Sequence, residues 1–227
     1  MVNLWLLVTQ IVGMAVAFGL VIFLSAGSLS WLPGWIYLGL MFGFVIAISI
    51  WLLRRNPSLL RERMTGIGAE GQKSWDKALL ALIGLLFVGW LAVMPADAAR
   101  FQWTSLQPFA QALGALLLVG SFPLFFWVFA ANPYLSPAVR LQKERDHRVV
   151  SSGPYRLVRH PMYAAVIPFF AGTSLLLGSA WGLAGGLVLV IAVAIRAVLE
   201  ERTLEAELPG YRDYMGRVRY RLIPGVW

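Results

Sequence analysis

Charge along this chain is confined to a few short blocks that separate long apolar runs, and that arrangement restricts the fold more than any other feature. The 227 residues include only 13% charged residues against 59% hydrophobic ones, with a mean hydropathy of +0.72. An average soluble domain carries about 25% charged residues, so a water-soluble globule is excluded. A bilayer core of about 30 Å calls for roughly 20 apolar residues in a helix. On that measure Leu4 to Leu24, Trp35 to Leu53, Ala78 to Met94 and Pro108 to Ala131 are four spans. A fifth stretch, Tyr163 to Leu199, is broken at Gly178-Ser179-Ala180 and reads as a helical hairpin whose shorter first arm is kinked by Pro168. The first span lacks a basic leader and is too long for a signal peptide, so it is expected to be retained.

The basic residues give an orientation. Six follow the second span (Arg54, Arg55, Arg61, Arg63, Lys73, Lys77), six follow the fourth (Arg140, Lys143, Arg145, Arg148, Arg156, Arg159) and six lie towards the C-terminus (Arg196, Arg202, Arg212, Arg217, Arg219, Arg221). All but Arg100 of the 19 therefore share one side, and both termini are expected in the cytoplasm by the positive-inside rule. The fold class is all-α: a polytopic integral membrane protein with four spans, a C-terminal transmembrane hairpin and an amphipathic C-terminal helix. Two parts are expected: 1–131, four transmembrane helices with a cytoplasmic loop at 54–77, and 132–227, a loop, hairpin and C-terminal helix that form the catalytic region.

The absence of cysteine excludes disulfides, zinc–cysteine sites, iron–sulfur clusters and thiol nucleophiles. A net charge of +8 suits anionic lipid headgroups and topology rather than nucleic acid, because the basic residues flank apolar spans. The chain has two histidines, His147 and His160, on either side of the turn-forming Ser151-Ser152-Gly153-Pro154. Two histidines without a metal-type spacing do not make a metal centre, and none is expected. As residues alone, the segment 141–163 reads equally well as a basic loop against lipid phosphates. Arg196 ends an apolar run with Glu200 one turn later, which is either a snorkelling pair or a site at the membrane edge. Tyr211, Tyr214, Val218 and Leu222, interleaved with arginines, are spaced for one amphipathic helix that anchors on the membrane or closes over the preceding loop.

The ordered set His147-x-Val149-Val150, Gly153-Pro154-Tyr155, Arg159-His160-Pro161-x-Tyr163, an apolar hairpin and then Arg196-x-x-x-Glu200-Glu201 resembles the isoprenylcysteine carboxyl methyltransferase family and the related integral-membrane phospholipid methyltransferases. The resemblance implies a methyltransferase that uses S-adenosyl-L-methionine in a cytoplasm-facing pocket. Its cofactor-binding positions fall on Gln142, His147, Arg148, Val149, Val150, Gly153, Tyr155, His160, Pro161, Met162, Tyr163 and Glu200, with backbone near Gly153 approaching the cofactor. It places Arg196 on the acceptor's carboxylate and makes Glu201 the candidate should the acceptor be an amine. The family usually has glycine where Ala165 stands, and no prenyl-protein recognition domain is identifiable. The acceptor expected is then a small isoprenoid or lipid acid, or a lipid amine, drawn from the bilayer of a prokaryotic inner membrane. The competing readings are a sterol-reductase-type enzyme using NADPH and a transporter or scaffold. The four uncharged spans count against ion transport.

The topology has a direct check in a chain free of cysteine. Single cysteines at Ser58, Ser105 and Ser151 should differ towards a membrane-impermeant thiol reagent on intact cells: only Ser105→Cys should label, and labelling at position 151 would reverse the topology.

Overall fold

The computed structural model describes residues 2–65 and 68–227, and among them every regular element is helical. Five helices are long and apolar enough to cross a membrane: α1 (Leu4–Ala26), α2 (Leu32–Arg55), α4 (Ser74–Pro95), α5 (Pro108–Ala131) and α7 (Ala180–Glu207). The short α3 (Pro57–Thr65), α6 (Pro161–Leu176) and α8 (Tyr211–Arg217) complete the set. The spans and the hairpin agree with the sequence pattern, and α3 adds a helix where only a loop was expected.

Local chemistry sets the ends. Asn3 caps α1 by accepting the Leu6 amide at 3.1 Å, and Gly27, at φ 71°, ends it in the left-handed region. Proline stands in the first turn of α2, α5 and α6, where its missing N–H costs nothing. Two boundaries move. α4 begins four residues before the apolar run, with Asp76 in its first turn, and α7 continues past the apolar run, through Glu200 and Glu201, to Glu207.

The helices follow one another around the bundle as α5, α6, α7, α4, α1 and α2. α5 and α6 are the closest pair because glycine faces backbone on both sides. A Cβ on Gly114 would stand 2.2 Å from the Leu176 nitrogen, and one on Gly172 would stand 2.5 Å from that of Leu118. Without a hydrophobic drive between helices in lipid, such close approach supplies the packing. α4 and α7 use the same device, since Gly182 and Gly185 admit Met94 and Trp90 and the Trp90 indole donates to the Gly182 carbonyl at 2.7 Å. α2 returns to meet α5 and α6 only sparsely, which leaves an apolar cleft between them.

The end of the bundle opposite the basic blocks is fixed by Asp97. It lies in a π-helical turn (Ala96–Phe101), fully buried, and accepts from the Thr104 amide and hydroxyl at 2.8 and 2.7 Å and from the Ser179 hydroxyl at 2.6 Å. Ser179 in turn caps α7 through the Gly182 amide.

The C-terminal segment departs from the single amphipathic helix expected of it. α8 stops at Arg217, and the chain continues extended so that the amides of Arg159 and His160 donate to the carbonyls of Tyr220 and Arg221, each at 2.9 Å. Tyr211 and Tyr214 are buried against Val128, Tyr155 and Leu208, not laid on a membrane surface. The backbone partners offered by residues 159–160 outcompete continuation of a short helix rich in like charges.

Gly172→Ala should force α5 from α6 and destabilise the protein by about 1–3 kcal/mol. Gly120→Ala, whose Cβ meets nothing within 4 Å, should be near neutral. Thermal unfolding of the two purified variants in detergent makes the comparison, and equal stability would show that the glycine contact does not set the packing.

Candidate active site at the basic end of the bundle

Segments 54–77, 132–160 and 200–227 meet at one end. Lys73 at the start of α4 pairs with Glu207 at the end of α7 at 2.6 Å, and Arg140 forms a bidentate contact with Glu62 of α3, at 3.1 and 2.8 Å. The hydrogen bonds from Arg140 and Ser136 hold Glu62 below its ordinary carboxylate range, against the upward push of desolvation.

Between these segments lies a cavity of about 390 Å³, within the range of about 300–1,000 Å³ usual for small-molecule sites. Loop 132–150 forms one wall, residues 155–163 a second, α7 a third, and Tyr211 and Tyr214 close it. The Tyr214 hydroxyl donates to the Tyr155 carbonyl at 2.7 Å, and Asn132 donates to the Tyr155 hydroxyl at 2.7 Å, so Tyr155 is fixed from both sides. His147 stacks on Tyr134 with ring centres 4.5 Å apart. Burial, then the charge of Arg145, pushes the His147 imidazole below its usual value, which favours a neutral ring at pH 7.

Arg196 is a buried cation. Its Nε donates to Asp76 at 2.8 Å, one terminal nitrogen to the Tyr163 hydroxyl at 2.9 Å and the other to the Pro137 carbonyl at 2.7 Å. Asp76 is fully buried and also accepts from the Gln72 amide side chain and the Val139 backbone amide, both at 2.8 Å. Arg196 therefore joins α4, α6, α7 and loop 132–142. The pairing with Glu200 that the one-turn spacing suggested is not made. Glu200 instead accepts from the Tyr163 hydroxyl at 2.6 Å.

Glu201 turns the other way. It is buried, takes hydrogen bonds from Arg159 and from Arg221, the latter at 2.7 Å, and so holds the extended C-terminal strap. His160 Nε2 approaches it at 3.4 Å but makes no hydrogen bond, and among the described residues this buried atom has no partner.

Residues 109–208 match the phospholipid methyltransferase family. The family's match starts in α5 and takes in every motif from Gln142 to Glu201, in agreement with the relationship to membrane phospholipid methyltransferases expected from those motifs. It supports a membrane methyltransferase that acts on lipid substrates. No curated protein matches the chain.

Of the family-type positions, His147, Arg148, Val149, Val150, Tyr155, His160, Pro161, Met162, Tyr163, Arg196 and Glu200 all line the cavity. Three do not. Gln142 is fully buried and spends its side chain on the Tyr134 carbonyl at 2.7 Å and on Arg145 at 2.6 Å, so it braces the loop from behind. Gly153, at φ 57°, packs on α5, where a Cβ would stand 2.9 Å from that of Ala131. Glu201 faces the strap. The residues not proposed for the site from the sequence are Asp76, Arg63, Asn132 and Tyr134, whereas Tyr211 and Tyr214, read there as either a membrane anchor or a cover, lie in the cavity wall. Asp76 was the most recoverable, since a lone carboxylate two residues inside a span's first turn calls for a partner.

Asp76→Ala leaves the Arg196 guanidinium buried without its counter-charge and should destabilise the protein by about 3 kcal/mol or more. Adding Arg196→Met should restore part of that loss. Thermal unfolding of the single and double variants measures it, and an Asp76→Ala protein as stable as wild type would show that the pair does not hold this end together.

Proposed function

We propose that the protein is an S-adenosyl-L-methionine-dependent methyltransferase whose cavity at the basic end holds the cofactor, and whose acceptor arrives from the bilayer as a lipophilic carboxylate. The observation that carries the reading is a cavity with charged and aromatic side chains in its wall beside an apolar cleft of about 640 Å³ between α1, α2, α5 and α6, with Arg63, Met162, Val166 and Phe170 lining both. One compartment suits a charged water-soluble molecule and the other a lipid tail, and they share a wall.

The residues present fit the cofactor. His160 lines the cavity and stacks on Tyr163, Tyr134 and Tyr155 supply further aromatic surface, Glu200 is an acceptor for an ammonium group, and residues 147–150 line the same cavity. When bound, the cofactor supplies an activated methyl group on sulfur. The protein's own share is alignment and exclusion of water, because an acceptor already ionised needs no general base. Arg196, held by Asp76, Tyr163 and Pro137, lines the cavity and stabilises the ionised acceptor by its charge and by the N–H groups those three partners leave free.

Charge favours a carboxylate. Of the five arginines that line the cavity, Arg63 alone has no carboxylate partner among the described residues, and the one acid of the lining, Glu200, already accepts from the Tyr163 hydroxyl. For an amine acceptor the carboxylate in position would be Glu200, since Glu201 is committed to Arg159 and Arg221. The basic end is placed in the cytoplasm, on the distribution of arginine and lysine.

Calorimetry of the detergent-purified protein should show binding of S-adenosyl-L-methionine and none of NADPH. His160→Ala and Tyr163→Ala should each weaken the former by roughly tenfold or more, the loss of one buried polar contact, with the fold retained. Binding of NADPH instead, or unchanged affinity in both variants, would overturn the assignment.

A further inference from the structure

Among the described residues, Arg63 is the one cavity arginine without a carboxylate partner. Arg196 pairs with Asp76, Arg159 with Glu201, Arg140 with Glu62 and Glu144, and Arg148 with Asp146. Among the described residues, Arg63 has neither a carboxylate nor a hydrogen-bond partner; its neighbour Glu62 is engaged by Arg140 and Ser136. Its guanidinium lies over the Phe129 ring at 5.1 Å and is only half-buried. Burial, then the like charge of Arg196, pushes it down to about 10, so it remains a cation at neutral pH without compensation.

Its position is specific. Arg63 stands in the last turn of α3 and lines both the cavity and the apolar cleft. The cleft has little polar demand of its own: Gln10 donates to the Met64 carbonyl and Ser49 to the Val45 carbonyl, and the remaining wall is aliphatic and aromatic. A cation at the mouth of an apolar cleft complements an amphiphile with an anionic head, and the planar fork of arginine matches carboxylate and phosphate alike.

We propose that Arg63 recognises the acceptor's anionic headgroup, a carboxylate or a phosphate, and holds it at the edge of the cofactor cavity with the tail in the cleft between α1, α2, α5 and α6. The assignment rests on the methyltransferase reading for the identity of the ligand as acceptor. A carboxylate at this position would itself receive the methyl group. A phosphate would leave the methyl group to another atom of the same headgroup.

The test uses the full chain in detergent and three probes of one chain length: palmitate, hexadecyl phosphate and hexadecanol, with bound amphiphile counted by native mass spectrometry. Wild-type protein should bind at least one anionic probe roughly thirtyfold or more tighter than hexadecanol, and Arg63→Gln should lose that preference while binding hexadecanol as before. Arg63→Lys, which keeps the charge and loses the fork, should fall between them. Preference for palmitate identifies a carboxylate head and preference for hexadecyl phosphate a phosphate head; either upholds the proposal. Equal binding of all three probes by wild type, or an anion preference unchanged in Arg63→Gln, would overturn it and leave Arg63 as a contact for bulk lipid. Binding of S-adenosyl-L-methionine is measured on the same samples. If wild type fails to bind it, the methyltransferase reading falls while the amphiphile result is judged by itself.

Discussion

The buried pair of Asp76 and Arg196 is the joint on which this end of the molecule depends. Both groups are taken out of water at the rim of the membrane, where an uncompensated charge would cost several kcal/mol. Asp76 satisfies Arg196, a glutamine side chain and a loop amide at once, while Arg196 reaches two helices and a carbonyl of the same loop. Loop 132–142 has almost no regular hydrogen bonding of its own, so these contacts decide where it lies. The wall that carries Tyr134, Ser136 and Val139 rests on the pair together with Glu62, which accepts from Ser136 and Arg140.

A second consequence is the division of space. The close glycine contacts of α5 with α6 and of α4 with α7 make one dense half of the bundle, and the sparse return of α2 leaves the other half open. The cleft is therefore a product of where small residues are and are not. The polar cavity sits at the end of the dense half, where rigid helices hold Tyr163, Arg196 and Glu200 in register. A reaction between a soluble donor and a membrane-dissolved acceptor needs such a junction, with a fixed site on one side and access from lipid on the other.

Apolar length and charge placement made the spans, the hairpin and the basic end legible in the sequence. The ordered motifs also led to most of the cavity wall. What was not legible depended on pairs distant along the chain or on the rotation of a helix. Asp76 and Arg196 are 120 residues apart, and no local pattern links them. Glu200 and Glu201 are neighbours about 100° apart around α7, so one enters the cavity and the other turns to the strap; only the packing of α7 decides which. The tyrosines of α8 likewise had a helical spacing compatible with a membrane anchor. Their burial follows from the backbone pairing of residues 159–160 with 220–221, which periodicity does not encode.

The central claim is transfer of a methyl group to a lipid carboxylate. It is tested most directly by reconstituting the protein in liposomes made from total bacterial lipid, adding S-adenosyl-L-methionine labelled in its methyl group, and extracting into organic solvent. The account predicts label in the lipid phase that mild alkali releases as methanol, the behaviour of a methyl ester. Alkali-stable label would contradict the carboxylate and point to nitrogen, and a lipid phase without label under conditions where the cofactor binds would contradict the account itself.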